Sequence, residues 1–325
     1  MDDPEATVSE PVSVNSSTEA YCHLHESYKY ILLPVTYGMV TVIGLLLNGA
    51  LLWQCLRSRP WSCSTVYLVN LAVADLLYLP SLPLLTVSYA MRGKWIFGNV
   101  ACKAARFLFY ANMYGSILFL TCISVHRFLG VCYPIRSLPY RTKERAVWGS
   151  ALSWGVVLIE LFPTLVFSRS VVVDNFTICY DVTSPSLLFV YFPYGITLII
   201  TGFFIPFLII FSCYWSMVKV LSRSQERITV GKEIRSKSIR TILVVCTVFA
   251  LCFVPFHITR FAYLFIGAYK GKDCGSLNFV VLSYKIWRPI VSFNSCISPV
   301  LYFLVARKNR KLMLNLGKNK VNPSP

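Results

Sequence analysis

FLFYANMYGSILFLTCISVHRFLGVC, residues 107–132, decides the fold. The stretch is apolar over most of its length and meets Arg127 only near its end. A hydrocarbon core of about 30 Å takes about 20 helical residues to cross, and this stretch is long enough. Lipid offers no partner to backbone N–H and C=O groups, so a segment of this kind is read as a helix. Six more stretches read the same way: Tyr30–Leu56, Val66–Tyr89, Ala146–Phe167, Phe192–Tyr214, Ile242–Phe265 and Phe279–Val305. The chain is 56% hydrophobic and 14% charged, well under the charge a soluble domain of this length carries. The segments are also too many, too long and too evenly spaced for a soluble core of buried helices.

The expected fold is therefore all-α: a seven-transmembrane helix bundle over residues 30–305, after an extracellular tail over 1–29. Residues 306–325 follow as an amphipathic helix and cytoplasmic tail. Within them Ala306–Leu316 reads as a short basic amphipathic helix on the inner leaflet, with Leu312, Met313 and Leu316 on its apolar side.

Charge sets the orientation. Residues 1–27 hold Asp2, Asp3, Glu5, Glu10, Glu19 and Glu26 and no Lys or Arg. Basic residues gather in the segments that alternate with the outer ones: Arg57 and Arg59, then Arg136, Arg141, Lys143 and Arg145, then Lys219 to Arg240, then the tail after Ala306. Positive charge stays cytoplasmic, so the N-terminus is expected outside a plasma membrane and the C-terminus inside. The net charge of +17 then needs no nucleic acid, because anionic inner-leaflet lipid and a cytosolic partner account for it. The acidic, polar start lacks the pattern of a cleavable signal peptide, and the first helix is expected to act as signal anchor.

Of twelve cysteines, eight lie within or at the ends of the apolar segments and read as small buried residues. The other four, Cys22, Cys102, Cys179 and Cys274, fall on the outer side, where an oxidising compartment favours two disulfides. Four cysteines allow three pairings, and the sequence alone does not choose among them. The pairing expected is Cys102 with Cys179, leaving Cys22 with Cys274. Asn15 and Asn175 open glycosylation sequons on the same face.

Polar residues inside a span cost free energy in lipid and ask for a reason. Asn48, Asp75, Ser116, Asn294, Ser295 and Ser298 lie at depths where several helices can bring them together. An interhelical hydrogen-bond network is one reading; a hydrated cavity holding Na⁺ at Asp75 and Ser116 is the sharper one. No other cofactor is expected. Prolines at 83, 163, 206, 255 and 299 permit kinks.

At this point the residues carry a family resemblance. Gly44-x-x-x-Asn48, Leu71-Ala-Val-Ala-Asp75, Trp154, Pro206 with Tyr214, Cys252-Phe-Val-Pro255 and Ser298-Pro-Val-Leu-Tyr302 resemble the helix signatures of rhodopsin-like G-protein-coupled receptors, in order, over residues 30 to 316. Ser116 through Arg127, Phe256-His-Ile-Thr-Arg260 and Tyr284-Lys-Ile-Trp-Arg-Pro289 resemble the purinergic nucleotide receptors. Arg106-Phe-Leu-Phe-Tyr-Ala-Asn112, Cys179-Tyr-Asp181, Pro193-Tyr-Gly195 and Thr201-Gly-Phe are similar to their uridine-diphosphate-preferring branch, although Arg260 stands where that branch usually has Lys. The resemblance implies a receptor for an extracellular nucleotide, favouring UDP, that signals through Gq, phospholipase C and calcium.

Charge argues for the same pocket. Arg106, about one turn into the third helix, joins Arg260, Lys285 and Arg288 near the outer helix ends. Terminal Lys and Arg usually snorkel to headgroups, which suits Lys103, Lys270 and Lys272. Arg106, Arg260 and Arg288 instead should project inward, and three guanidinium groups repel unless an anion joins them. Bidentate Arg contacts match phosphate, and the resemblance assigns these three positions to the nucleotide phosphates. Phe109, Tyr110, Tyr114, His257, Tyr263 and Tyr284 supply rings and hydroxyls for base and ribose, with Asp181 expected to pair with Arg288 over an empty site.

On the inner side the resemblance makes Arg127 the residue that packs on the G protein, helped by Tyr214 and Tyr302, with Asp75, Asn294 and Ser298 in the switch. The chain departs from the superfamily at His126, where an acid is usual, at Phe128, and at Ser298. An arginine-rich pocket also suits a dicarboxylate, which is the alternative ligand. A transporter or channel would show internal repeats and broken helix pairs, and none is visible. No catalytic constellation shares one site, so the chain is not expected to be an enzyme.

Overall fold

Each apolar segment forms a helix, and the helices overrun the segments that announce them. The computed structural model describes residues 29–173, 176–180, 182–183, 187–223, 229–269 and 274–321. Within these, the side chains of 173, 223, 229–245, 248, 274, 277 and 301–321 are outside the description. Seven long helices follow among the described residues: α1 (Lys29–Arg57), α2 (Cys63–Ala90), α3 (Gly98–Cys132), α4 (Lys143–Phe167), α5 (Leu188–Ser222), α6 (Thr229–Tyr269) and α7 (Cys274–Val321). The first six contain stretches long and apolar enough to cross a membrane.

The overrun has a local cause. A helical hydrogen-bond ladder does not need apolar side chains, so it runs on until a cap or a breaker stops it. Ser62 caps α2, accepting from the Thr65 N–H at 3.2 Å, and Thr142 caps α4, accepting from the Arg145 N–H at 3.4 Å. At the head of α3, Gly98 takes a φ of +76°, which favours glycine. Because α3 starts at Gly98, Arg106 lies about two turns into it, not the one turn expected.

Proline marks the irregularities. A 3₁₀ turn over Leu79–Ser81 interrupts α2 ahead of Pro83, and the helical stretch of α4 ends at Leu161 before resuming at Thr164, past Pro163. In α5 a π turn over Ile200–Phe204 precedes Pro206. Pro255 and Pro299 sit within continuous helix.

The third helix is the axis of the bundle. It packs on α2, α4 and α5, while α7 closes the ring against α1 and α6. Ala105, Phe109, Met113, Tyr114 and Ile117 of α3 are buried in the main core. The opposite surface is apolar too. Leu46, Trp148, Leu152, Ile159 and Phe211 are exposed, an arrangement suited to lipid and costly in water.

A hairpin lies over one end. Strands β1 (Ser170–Val173) and β2 (Phe176–Cys179) pair antiparallel, with Ser170 opposite Cys179. Three ties hold it to the start of α3. The Trp95 N–H donates to the Thr177 carbonyl at 2.8 Å, and the Ser170 N–H donates to Asn99 Oδ1 at 3.0 Å. The third is the Cys102–Cys179 disulfide, with Cα atoms 5.7 Å apart, as expected from the sequence. Cys22 and both sequon asparagines, Asn15 and Asn175, lie outside the described residues, as does the side chain of Cys274.

Candidate functional site

The disulfide places the first arginine. Arg106 follows Cys102 by one helical turn, so it faces the same way, beneath the hairpin. Its Nη2 donates to the Cys179 carbonyl at 2.9 Å. The next turn of α3 presents Phe109 and Tyr110, whose ring centroids are 5.2 Å apart. The other two arginines settle over these two rings. Arg288, from α7, lies 4.9 Å from the Phe109 centroid, and Arg260, from α6, lies 4.4 Å from the Tyr110 centroid. Arg106, Arg260 and Arg288 are 2%, 0% and 1% exposed, so none of them snorkels. Lys285, one turn before Arg288 on α7, is buried as well.

Tyrosine hydroxyls meet two of the arginines. Arg260 donates through Nη2 to the Tyr191 hydroxyl at 2.7 Å and through Nη1 to that of Tyr114 at 3.3 Å. Arg288 donates through Nη1 to the Tyr89 hydroxyl at 3.4 Å. All the partners of Arg260 among the described residues are neutral, and its Nε has none there. A buried guanidinium held only by hydroxyls and a ring face is under-compensated, since burying a charge costs several kcal/mol, roughly, unless a counter-charge joins it.

An aromatic tier lies beside the arginines. Tyr110 and Tyr114 stack at 6.4 Å, and Tyr263 and Tyr284 at 5.4 Å with planes 13° apart. His257 stacks on Phe203 at 4.0 Å, and its Nδ1 bonds to the Phe253 carbonyl at 2.8 Å. Its Nε2 has no partner among the described residues. The π turn of α5 makes this possible by carrying Phe203 inward, next to Gly202. A Cβ at Gly202 would stand 2.5 Å from Tyr114 Cδ1, so glycine permits the close approach.

The structure thus brings together Arg106, Phe109, Tyr110, Tyr114, His257, Arg260, Tyr263, Tyr284, Lys285 and Arg288. Asp181 lies outside the described residues, and with it the expected pairing to Arg288. Sequence reasoning missed Tyr89, Tyr191 and the Cys179 carbonyl. For Tyr191 a signal existed in Gly195 one turn later, where a Cβ would stand 2.9 Å from Tyr191 Cε1. The Tyr89 and carbonyl contacts had no signal, because both depend on how separate elements pack.

A second polar cluster lies deeper in the bundle. Asn112 Nδ2 donates to Asp75 Oδ1 at 2.7 Å, and Ser295 Oγ donates to Asn112 Oδ1 at 3.3 Å. Asn48 Nδ2 donates to the Ser295 carbonyl at 2.7 Å, and Ser298 Oγ to Asn294 Oδ1 at 3.5 Å. The network therefore joins α1, α2, α3 and α7. Asn112 is its missed member: the sequence reading quoted it only as the end of the Arg106–Asn112 resemblance and gave it no role. Asp75 Oδ2, Ser116 Oγ and Asn294 Nδ2 find no partner among the described residues. A carboxylate and a hydroxyl oxygen are a donor set that fits a hard cation such as Na⁺.

At the inner end of α3, Ser124 Oγ donates to the Tyr214 hydroxyl at 2.9 Å, tying α3 to α5. Arg127 is exposed, without a hydrogen bond or ion pair among the described residues. His126 replaces the usual acid with a neutral bridge. It meets Ser64 Oγ through Nδ1 and accepts from Arg141 Nε through Nε2, both at 3.4 Å. The side chain of Tyr302 is outside the description.

Six membrane-length apolar helices and a seventh long helix packed around α3, with three buried arginines at the disulfide end, have the architecture of the seven-helix membrane receptors. The model for the 7 transmembrane receptor (rhodopsin family) matches residues 47–302. The Y-type purinoceptor 3 of Gallus gallus is 42% identical over 294 residues, 89% of each chain. The Y-type purinoceptor 6 of Rattus norvegicus is 43% identical over 293 residues, again 89% of each. The Y-type purinoceptor 4 of Xenopus laevis is 44% identical over 316 residues, 95% of this chain and 58% of that one. The chain belongs to the rhodopsin family of seven-transmembrane receptors and, within it, to the Y-type purinoceptors. It is a multi-pass membrane protein and a receptor, not an enzyme.

Proposed function

We propose that the chain is a plasma-membrane receptor for an extracellular nucleotide, with UDP favoured, and that it signals through Gq, phospholipase C and calcium. The observation that carries this is Arg260: wholly buried, held by two tyrosine hydroxyls and a ring, and lacking a negative partner among the described residues. A phosphate chain supplies the missing charge and matches the guanidinium fork. Arg106 and Arg288 extend the clamp from α3 and α7, Lys285 adds a fourth cation, and Asp181 closes the empty site from the loop. The stacked pair Tyr263 and Tyr284, with His257 Nε2, receives base and ribose. An aromatic tier of this size favours a nucleotide over a dicarboxylate.

In this reading the N-terminus and the hairpin are extracellular, and Asn15 and Asn175 carry glycans. The second disulfide joins Cys22 to Cys274. Arg127 faces the G protein with Tyr214 and Tyr302, and residues 306–316 lie along the inner leaflet. Na⁺ occupies the space beside Asp75 and Ser116 in the resting state and leaves on activation, with Asn294 and Ser298 completing the switch.

A calcium-response panel over UDP, UTP, ADP, ATP and dicarboxylates tests the proposal, with UDP expected as the most potent. Nucleotide-dependent GTP exchange on reconstituted Gq supplies the coupling arm. A response to dicarboxylates alone, or solute flux without GTP exchange, overturns it.

A further inference from the structure

Glu160 of α4 is an acid inside a span, and neither polar cluster above uses it. A carboxylate there costs free energy and asks for a reason. Its Oε2 is buried without a hydrogen bond, and no ion pair forms to it, among the described residues. The next residue, Leu161, ends the first helical stretch of α4, so the negative end of the helix dipole adds to the cost. Ile159 on one side is 77% exposed and Leu161 on the other is wholly buried, which sets Glu160 at the edge between lipid and bundle.

From that edge a chain of contacts leads to Arg260. The Glu160 carboxylate is hydrogen-bonded to the Thr201 side chain of α5, next to Gly202, against which Tyr114 packs. The Tyr194 hydroxyl donates to the Glu160 carbonyl at 2.9 Å and meets Thr164 Oγ1 at 2.7 Å, which ties α4 to α5. Tyr194 lies edge-on to Tyr191, with ring centroids 5.3 Å apart. Tyr191 and Tyr114 supply the two hydroxyls that hold Arg260. Glu160 and Arg260 thus share one layer of tyrosines, and the charge of each is felt at both Tyr114 and Tyr194. Tyr114 and Tyr191 are buried, so water screens these charges from one another poorly.

We infer that Glu160 is a positioning residue of the ligand site, one that limits how much negative charge Arg260 can take and so favours a nucleoside diphosphate over the triphosphate. The inference rests on the nucleotide reading above. Before ligand binds, the carboxylate partly offsets Arg260 across the tyrosine layer. A phosphate chain that reaches Arg260 brings like charge toward Glu160, and the repulsion grows with each further ionised oxygen. The arginines still win, because they are nearer and more numerous. The penalty therefore falls on the ligand with the most charge, and it vanishes when the side chain at this position is neutral.

The test measures UDP and UTP potency on the full chain in cells by calcium response, at matched surface expression. Glu160→Gln keeps the shape and removes the charge. It is expected to raise UDP potency about 3-fold and UTP potency about 10-fold, so that UTP gains on UDP. Glu160→Asp keeps the charge and is expected to keep the UDP-to-UTP ratio of the unaltered chain. A merely structural role would move both nucleotides alike and would not separate Gln from Asp. Glu160→Leu repeats the neutral arm. Both neutral variants take a charge out of the span, so surface expression is expected to hold. Loss of expression in both makes Glu160 a structural residue and overturns the inference. So does a UDP-to-UTP ratio that stays the same in the neutral variants, an outcome that leaves the receptor reading intact. No response of the unaltered chain to any nucleotide overturns both.

Discussion

The outer cavity and the inner cluster bury charge in opposite ways. Inside, one carboxylate, Asp75, is met by a neutral amide donor, Asn112, and tied through Ser295 to α7. Outside, three guanidinium groups share tyrosine hydroxyls, a carbonyl and two ring faces. Amide-to-carboxylate bonding is short-range and pins helices together, so the inner cluster acts first as structure. Clustered like charge is not self-satisfying, and on the proposed function a bound anion answers it. Among the described residues the inner cluster leaves a carboxylate oxygen of Asp75 unpartnered, whereas the outer cluster gathers several buried cations.

The sharpest way to break this contrast is to remove the frame of the outer cavity. Cys102→Ser or Cys179→Ser frees the hairpin whose Cys179 carbonyl holds Arg106. Loss of surface expression or of agonist response is expected for both, measured by cell-surface labelling and calcium flux. A normal response from both variants refutes the dependence of the clamp on the hairpin.

Next come the arginines. Charged hydrogen bonds are worth roughly 1.5–3 kcal/mol, so Arg106→Ala, Arg260→Ala and Arg288→Ala should each lose about 10- to 100-fold in UDP potency. Lys at the same positions should recover only part, because a point charge lacks the bidentate fork. Lys270→Ala and Lys272→Ala serve as controls. Equal small losses at all five positions, with normal expression, would return the arginines to ordinary headgroup contacts.

A smaller effect is expected from Gly202→Ala. The added methyl meets Tyr114, whose hydroxyl accepts from Arg260, so the ring must shift. Overpacking of this kind costs about 1–3 kcal/mol, and a drop in melting temperature together with weaker UDP potency is the expected readout. Tyr114→Phe in the same background should add little further loss of potency if the shift acts through that hydroxyl.

The gentlest test sharpens the inner half. Asp75→Asn removes the formal charge of the cluster and keeps its size. Sensitivity of agonist affinity to Na⁺, measured against an equal concentration of an organic cation, should disappear while expression stays near normal. If the unaltered receptor shows no such sensitivity, the cluster is a structural network alone.

Different parts of these two regions were legible beforehand. The seven spans and the three outer arginines stood out because an apolar run with a few charges at its ends has one stable reading in lipid. The Cys102–Cys179 pairing was expected but shared its place with two alternatives, since spacing does not bring cysteines within bonding distance. Asn112 was left unassigned, because which neighbours a polar residue in mid-helix meets depends on helix rotation. Arg106 was set a turn too shallow, because the helix begins at Gly98, in a stretch whose composition does not look membranous.

Taken alone, the sequence determined the number of helices, their order and the residues that bear charge within them. Hydropathy and the cost of unpaired backbone in lipid are local properties, and local properties are written in the chain. The tertiary structure alone decided which hydroxyls hold which guanidinium, that Arg260 and Arg288 settle over adjacent rings of one helix, and that Gly202 lets Tyr114 approach α5. Each of these depends on the rotation and depth of helices far apart in sequence, and those are set by packing across the whole bundle.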